Sequence, residues 1–111
     1  MVTVDLTEAY NCAALLSTLI NDRMRSVGMK RKAHPLEAWA ADIEKLHRID
    51  GVDYDTIRKV IEWCQNDTFW MMNILSGNKL RKQFFRLIMQ MKSEAEGTSE
   101  PQKNWGFMSN G

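Results

Sequence analysis

Four sets of residues in this 111-residue chain have types and spacings that could do chemistry. Cys12, Cys64, His34 and His47 are ligands of the kind zinc takes. Asp50, Asp53 and Asp55 are closely spaced oxygen ligands. Ser76 and Lys79 form an SxxK pair, and Lys79, Arg81, Lys82 and Arg86 form a run of cations. A structural zinc site gathers its Cys and His ligands in close pairs, whereas Cys12 and Cys64 are far apart and neither belongs to a CxxC. A calcium loop of the EF-hand type needs Gly at its sixth position and Glu at its twelfth, and the Asp50–Asp55 region has neither at that spacing. The serine hydrolases that use SxxK carry companion motifs absent here, on a fold longer than this chain. GxxxxGKS/T, GxSxG and HExxH are missing too, and neither histidine has an acid–base constellation in its vicinity. These absences predict a non-enzymatic protein without metal or cofactor, in which both cysteines are reduced and buried as in a cytosolic protein.

The cations remain. The formal net charge is +1, which taken alone argues against a nucleic-acid binder. The charge is segregated, however. Arg23, Arg25, Lys30, Arg31 and Lys32 form one block uninterrupted by acids, and Lys79, Arg81, Lys82, Arg86 and Lys92 form a second between Thr68 and Lys92. The flanking and intervening segments are net acidic. Lys79, Lys82 and Arg86 recur at three and four residues, which places them on one face of a helix. A solubilising face usually mixes signs; a face of one sign fits phosphate contact. Both blocks are therefore expected to contact DNA: Arg23, Arg25, Lys30, Arg31 and Lys32 in the first, Lys79, Arg81, Lys82 and Arg86 in the second. Phe85 lies off the apolar stripe of its helix and is the ring expected to be exposed, for a base or a protein partner.

The elements that position these residues all read as helical. Ala9, Cys12, Ala13, Leu16, Leu19, Ile20 and Met24 make one stripe over about Thr7 to Ser26, capped by Asp5 or Thr7 and stopped by Gly28. A basic loop over 28–34 leads to Pro35 and a second helix over about Leu36 to Arg48, with Trp39 and Ile43 inward. Asp53 caps a third helix, about Tyr54 to Asn66, whose inner face holds Ile57 and Ile61, extended by Trp63. A short turn carries Phe69 and Trp70. Ser76 then caps a helix from about Gly77 to Glu96 with Leu80 and Phe84 in its stripe. The spacing thus predicts an all-α, compact bundle of four main helices with a short helical turn. Its core is Trp39, Ile43, Ile57, Ile61, Trp63, Phe69, Trp70, Leu80 and Phe84. Residues 1–96 are expected to form the helical domain and 97–111 a flexible tail, in which Trp105, Phe107 and Met108 make an apolar docking motif. No apolar run reaches membrane-spanning length and no signal peptide opens the chain, so a cytoplasmic location is expected.

The strings Trp63-Cys64-Gln65-Asn66-Asp67-Thr68-Phe69-Trp70 and Asn73-Ile74-Leu75-Ser76, with Trp39-Ala40, Asp42-Ile43, Arg48-Ile49-Asp50 and Lys79-Leu80-Arg81, carry a resemblance. From about Asp5 to Met91 the chain resembles the C-terminal region of bacteriophage and prophage replication proteins, the replisome organisers or replication initiators. That family is similar to the DnaD-like helicase-loading modules, but Tyr54, Ile57 and Trp63 do not keep the Tyr-xxx-Ile-xxx-Trp spacing of those modules, so these residues establish no DnaD match. In the phage family a winged-helix domain that reads origin DNA usually precedes this region; it has no counterpart in these residues, as expected of a fragment or of a stand-alone version. The resemblance implies phage DNA replication, in the cytoplasm of the bacterial host, with DNA contacts and recruitment of the replicative helicase or its loader. It implies no catalytic residue.

The expected function is thus a non-catalytic replication module that binds DNA and replisome proteins. The alternative is a small protein-interaction adaptor or inhibitor of a host replication factor that does not bind DNA; an exposed apolar groove would favour it. A helix-turn-helix regulator fits less well, because the Tyr54–Asn66 helix has an apolar stripe and an acidic flank where base-reading side chains would stand.

Overall fold

The computed structural model describes residues 6–95. They form α1 (Thr7–Ser26), α2 (Leu36–Arg48), α3 (Tyr54–Asn66), the single turn α4 (Trp70–Asn73) and α5 (Gly77–Ala95), with no strand among the described residues. The all-α bundle of four main helices and a short turn is therefore present. The expected tail, with Trp105, Phe107 and Met108, lies outside the described residues.

The apolar stripes meet in one core. Cys12, Leu16 and Ile20 of α1 pack with Ile43 and Leu46 of α2, with Ile57, Val60, Ile61 and Cys64 of α3, and with Leu80, Phe84 and Leu87 of α5. Trp39 and Trp70 are buried at its edges. Burying side chains of this size contributes about 1.5–3 kcal/mol each, which is what holds helices of these lengths in place.

The helix ends follow from local chemistry. Asp53 Oδ1 accepts from Thr56 N–H at 2.9 Å, and Ser76 Oγ accepts from Lys79 N–H at 3.1 Å, the two expected caps. At α1 the N-cap position falls on Leu6, which has no side-chain oxygen, rather than on Thr7; Asp5 lies outside the described residues. The same helix closes with Gly28 at φ +83°, where the Gly28 N–H donates to Arg25 O at 3.0 Å and the Met29 N–H to Met24 O at 2.9 Å. This pair of bonds requires the left-handed conformation that glycine adopts without strain.

One expected core residue is not in the core. Phe69 is 58 % exposed. The Asp67 carboxylate accepts from both Phe69 N–H (3.1 Å) and Trp70 N–H (3.0 Å), so it fixes the start of α4 with only one of the two rings turned inward. Trp70 takes the inside position and donates its indole N–H to Gln90 Oε1 at 3.0 Å, while Phe69 lies edge-on against it, ring centres 4.9 Å apart. Trp63 is half-buried at the core margin, its indole N–H donating to Glu94 Oε1 at 3.2 Å.

Both cysteines are buried and unpaired, and burial pushes their thiols up, to about 11 for Cys12 and about 12 for Cys64. No group of three or more His, Cys, Asp or Glu side chains among the described residues could hold a metal ion, and no described helix is long and apolar enough to cross a membrane.

Candidate nucleic-acid interface

The second basic block lies on α5, whose position is fixed by Gly77. A Cβ at this residue would stand 2.8 Å from Trp39 Cα and 3.0 Å from Trp39 Cβ and O, so only glycine lets the start of α5 press onto α2 this closely. The inward stripe of α5 then dictates what faces out. At 100° per residue, Lys79, Lys82, Phe85, Arg86 and Met89 fall within about a third of the circumference, opposite Leu80, Phe84 and Leu87. Lys79, Lys82 and Arg86 are exposed and make no ion pair with any described residue. Phe85 is 74 % exposed and Met89 55 %. Cations interleaved with an exposed ring can hold phosphates while the ring stacks on a base.

Arg81 stands apart from this group. Its Nε and Nη2 donate to the two carboxylate oxygens of Asp50 at 2.9 and 3.2 Å, joining α5 to the end of α2. Each partner favours the other's charged form: the Arg81 guanidinium holds the Asp50 carboxyl below its usual range, and Asp50 raises Arg81. A guanidinium whose charge and one edge are taken up by a bidentate carboxylate is a weaker phosphate ligand than the unpaired neighbouring lysines.

The first basic block is divided by the fold. Arg23 is half-buried and its donors are taken: Nη1 donates to Gln65 Oε1 at 2.8 Å and to Gln65 O at 3.4 Å, and Nη2 to Met71 O at 2.6 Å. It works as a strut joining α1, α3 and α4, which corrects its expected place among surface phosphate contacts. Arg25 pairs with Asp22 at 2.8 Å, with both side chains more than half exposed; such a pair is readily exchanged. Lys30, Arg31 and Lys32 are exposed on the α1–α2 loop and form no ion pair with a described residue.

That loop is nevertheless anchored, through polar residues that apolar periodicity does not reveal. The buried Asn21 donates from Nδ2 to Lys32 O and accepts from Lys32 N–H, both at 3.0 Å. His34 stacks on Trp39, ring centres 4.6 Å apart, and shares a 2.6 Å hydrogen bond with Ser17 Oγ. Burial and the nearby Lys32 lower the His34 pKa. Gln65, the acceptor for Arg23, is buried as well and donates from Nε2 to Ile74 O at 2.7 Å. Nothing in the sequence marks Asn21 and Gln65, because at 100° per residue both fall beside rather than within the apolar stripes of their helices.

Comparison with known proteins gives this geometry a context. Replication protein 15 of Enterobacteria phage phi80 is 30 % identical over 77 residues, 69 % of this chain and 26 % of that protein. Replication protein O of Escherichia phage lambda is 24 % identical over 78 residues, 70 % of this chain and 23 % of that protein. The chain thus spans about a quarter of the length of these curated relatives. No solved structure matches it. The C-terminal domain family of phage replication protein O matches residues 14–94, which include all of α2 to α4 and the cations of α5. The chain belongs to that family.

Proposed function

We propose that this domain serves phage DNA replication by holding DNA on the exposed face of α5 while recruiting replisome proteins, the replicative helicase or its loader, to the same nucleoprotein complex. Membership of the replication protein O family supports the replication context. The observation that carries the DNA contact is the outward group of Lys79, Lys82 and Arg86 beside an exposed Phe85, on a helix fixed by the Gly77–Trp39 contact. Such a surface takes the backbone through its cations and a base through its ring, which suits single-stranded DNA. No reaction is assigned to the site; its role is to hold and to bring together.

The test is binding of fluorescent single- and double-stranded oligonucleotides by the chain and by a K79A/K82A/R86A variant across a salt series. Loss of three phosphate contacts should reduce the magnitude of the log K against log salt slope by about 2 on single strands. Equal affinity and equal slope for the two proteins would remove DNA from this surface. The alternative, an adaptor that contacts only protein, is favoured by a separate observation, the apolar groove beside the α1–α2 loop.

A further inference from the structure

On the side of the molecule where α1 ends, a groove of about 630 Å³ opens between the α1–α2 loop and α4. Its walls are apolar and dominated by methionine: Met24 and Met29 on one side, Met71 and Met72 on the other, completed by Val27 and Leu75. Four of the chain's 8 methionines are therefore gathered in one place. Met72 is 68 % exposed, Met29 55 %, Val27 71 % and Leu75 49 %, an unusual concentration of exposed apolar side chains on a domain of this size.

The groove is built rather than incidental. The Gly28 turn at the end of α1 folds the chain back, so that Met29 N–H meets Met24 O and both side chains face the groove. The opposite wall is held by Arg23, whose Nη2 reaches Met71 O at 2.6 Å. The Asn21–Lys32 double hydrogen bond pins the far end of the loop. A pre-formed groove costs little ordering when it is filled.

Charge indicates what fills it. Arg23 and Lys32 line the groove and no acid does. The loop also carries Lys30 and Arg31, exposed and without an ion pair to a described residue. Of the acids nearest in sequence, Asp22 is spent on Arg25, Asp67 on the N–H groups of Phe69 and Trp70, and Glu37 faces Tyr10 of α1. The groove is thus apolar at its floor and positive at its rim.

We propose that this groove receives an amphipathic helix of a partner protein, with an apolar stripe in the methionine floor and acidic residues against Lys30, Arg31 and Lys32. Thioether side chains adapt to such stripes, and a helix laid in an apolar groove is a recurrent recognition mode. A nucleobase fits less well. The one flat ring lining the groove, His34, is already stacked on Trp39 and hydrogen-bonded to Ser17. A second copy of this chain would bring its own cations to a positive rim. The inference deepens the protein-recruiting half of the proposed function and rests on that half alone.

The test is a selection from a displayed library of randomised helical peptides on the full chain, counter-selected on an M72K/L75K variant, whose two positions are exposed enough to tolerate the change. Expected winners carry an apolar i, i+3/i+4, i+7 stripe flanked by Asp or Glu. Added to protein with ¹³C-labelled methionine methyls, they shift Met24, Met29, Met71 and Met72 and leave Met89 in place. A K30E/R31E/K32E variant should bind them at least tenfold more weakly while unfolding at the wild-type temperature. Winners without acidic flanks, an empty selection, or winners that leave the four methyls unmoved would overturn the proposal. So would concentration-dependent dimerisation through the same methyls, or displacement of the peptide by a single-stranded oligonucleotide. Because the groove and the α5 face share no residue, K79A/K82A/R86A should keep peptide binding and M72K/L75K should keep oligonucleotide binding. The failure of one reading is thereby separable from the failure of the other.

Discussion

Arg23 Nη1 lies 2.8 Å from Oε1 of the buried Gln65, and through that contact the last turn of α1 is tied to the end of α3. The same guanidinium reaches the Met71 carbonyl, so one side chain serves three helices. Truncation leaves several acceptors without their donor, one of them on a buried side chain. Arg23→Ala should therefore lower unfolding stability by about 2 kcal/mol, read as a lower denaturant midpoint with unchanged slope. Arg23→Lys keeps the charge but loses the fork and should recover only part of the loss.

Gly77→Ala should be destabilising although alanine is the better helix former. The new Cβ would meet Trp39 main-chain atoms, which cannot step aside as a flexible side chain can, so α5 must shift. A cost of about 1–3 kcal/mol is expected from overpacking, measured by chemical denaturation.

The anchoring of the α1–α2 loop should depend on pH. The His34 pKa is lowered in the folded protein from its ordinary 6.5, chiefly by burial and then by Lys32. The unfolded chain thus takes up a proton at higher pH than the folded one. The stability linked to this residue is complete above 6.5 and declines as pH falls from there through the depressed value. Amide exchange of Lys32–Ala33 should accelerate over that interval, and His34→Gln should flatten the response.

Phe85 separates stacking from charge on the α5 face. At 74 % exposure, Phe85→Ala should leave the unfolding temperature nearly unchanged. If the ring takes a base, affinity for a single-stranded oligonucleotide falls by about 1–3 kcal/mol with the salt slope preserved.

Cys12 and Cys64 should be inert in the native state. Both are fully buried, with thiols pushed up to about 11 and about 12, so almost no thiolate exists at neutral pH. Labelling with a thiol reagent should follow the unfolding rate, and fast native labelling would contradict the burial.

Most of the architecture was legible in the sequence because apolar residues at helical period point to one side. Leu16, Ile43, Ile61 and Leu87 declare their helices and their inward faces together. What periodicity could not supply was the outcome of competition between neighbours of equal character. Phe69 and Trp70 are adjacent and both aromatic, and the choice between them was made by the carboxylate of Asp67 two and three residues earlier. The exposed face of α5 followed from spacing alone. The divided fate of the first basic block did not, because the Arg23 acceptors lie 42 and 48 residues away in the chain. The groove was likewise hidden, since Met24 belongs to the α1 stripe and Met71 to a single turn far along the chain, and only the fold sets them opposite one another.

The ion pairs bear on kinetics. Asp22, Asp50, Asp55, Glu8 and Glu44 each sit against an Arg or Lys, which holds five of the chain's 14 negative charges in local dipoles, while Lys30–Lys32 and Lys79, Lys82 and Arg86 stand without an ion pair to a described residue. With a whole-chain charge of only +1, attraction fades within a screening length of about 10 Å at 0.1 M salt. A polyanion approaching from afar meets a nearly neutral body and feels the patches only on arrival. Differences among ligands should therefore be expressed in how long they stay, not in how fast they come.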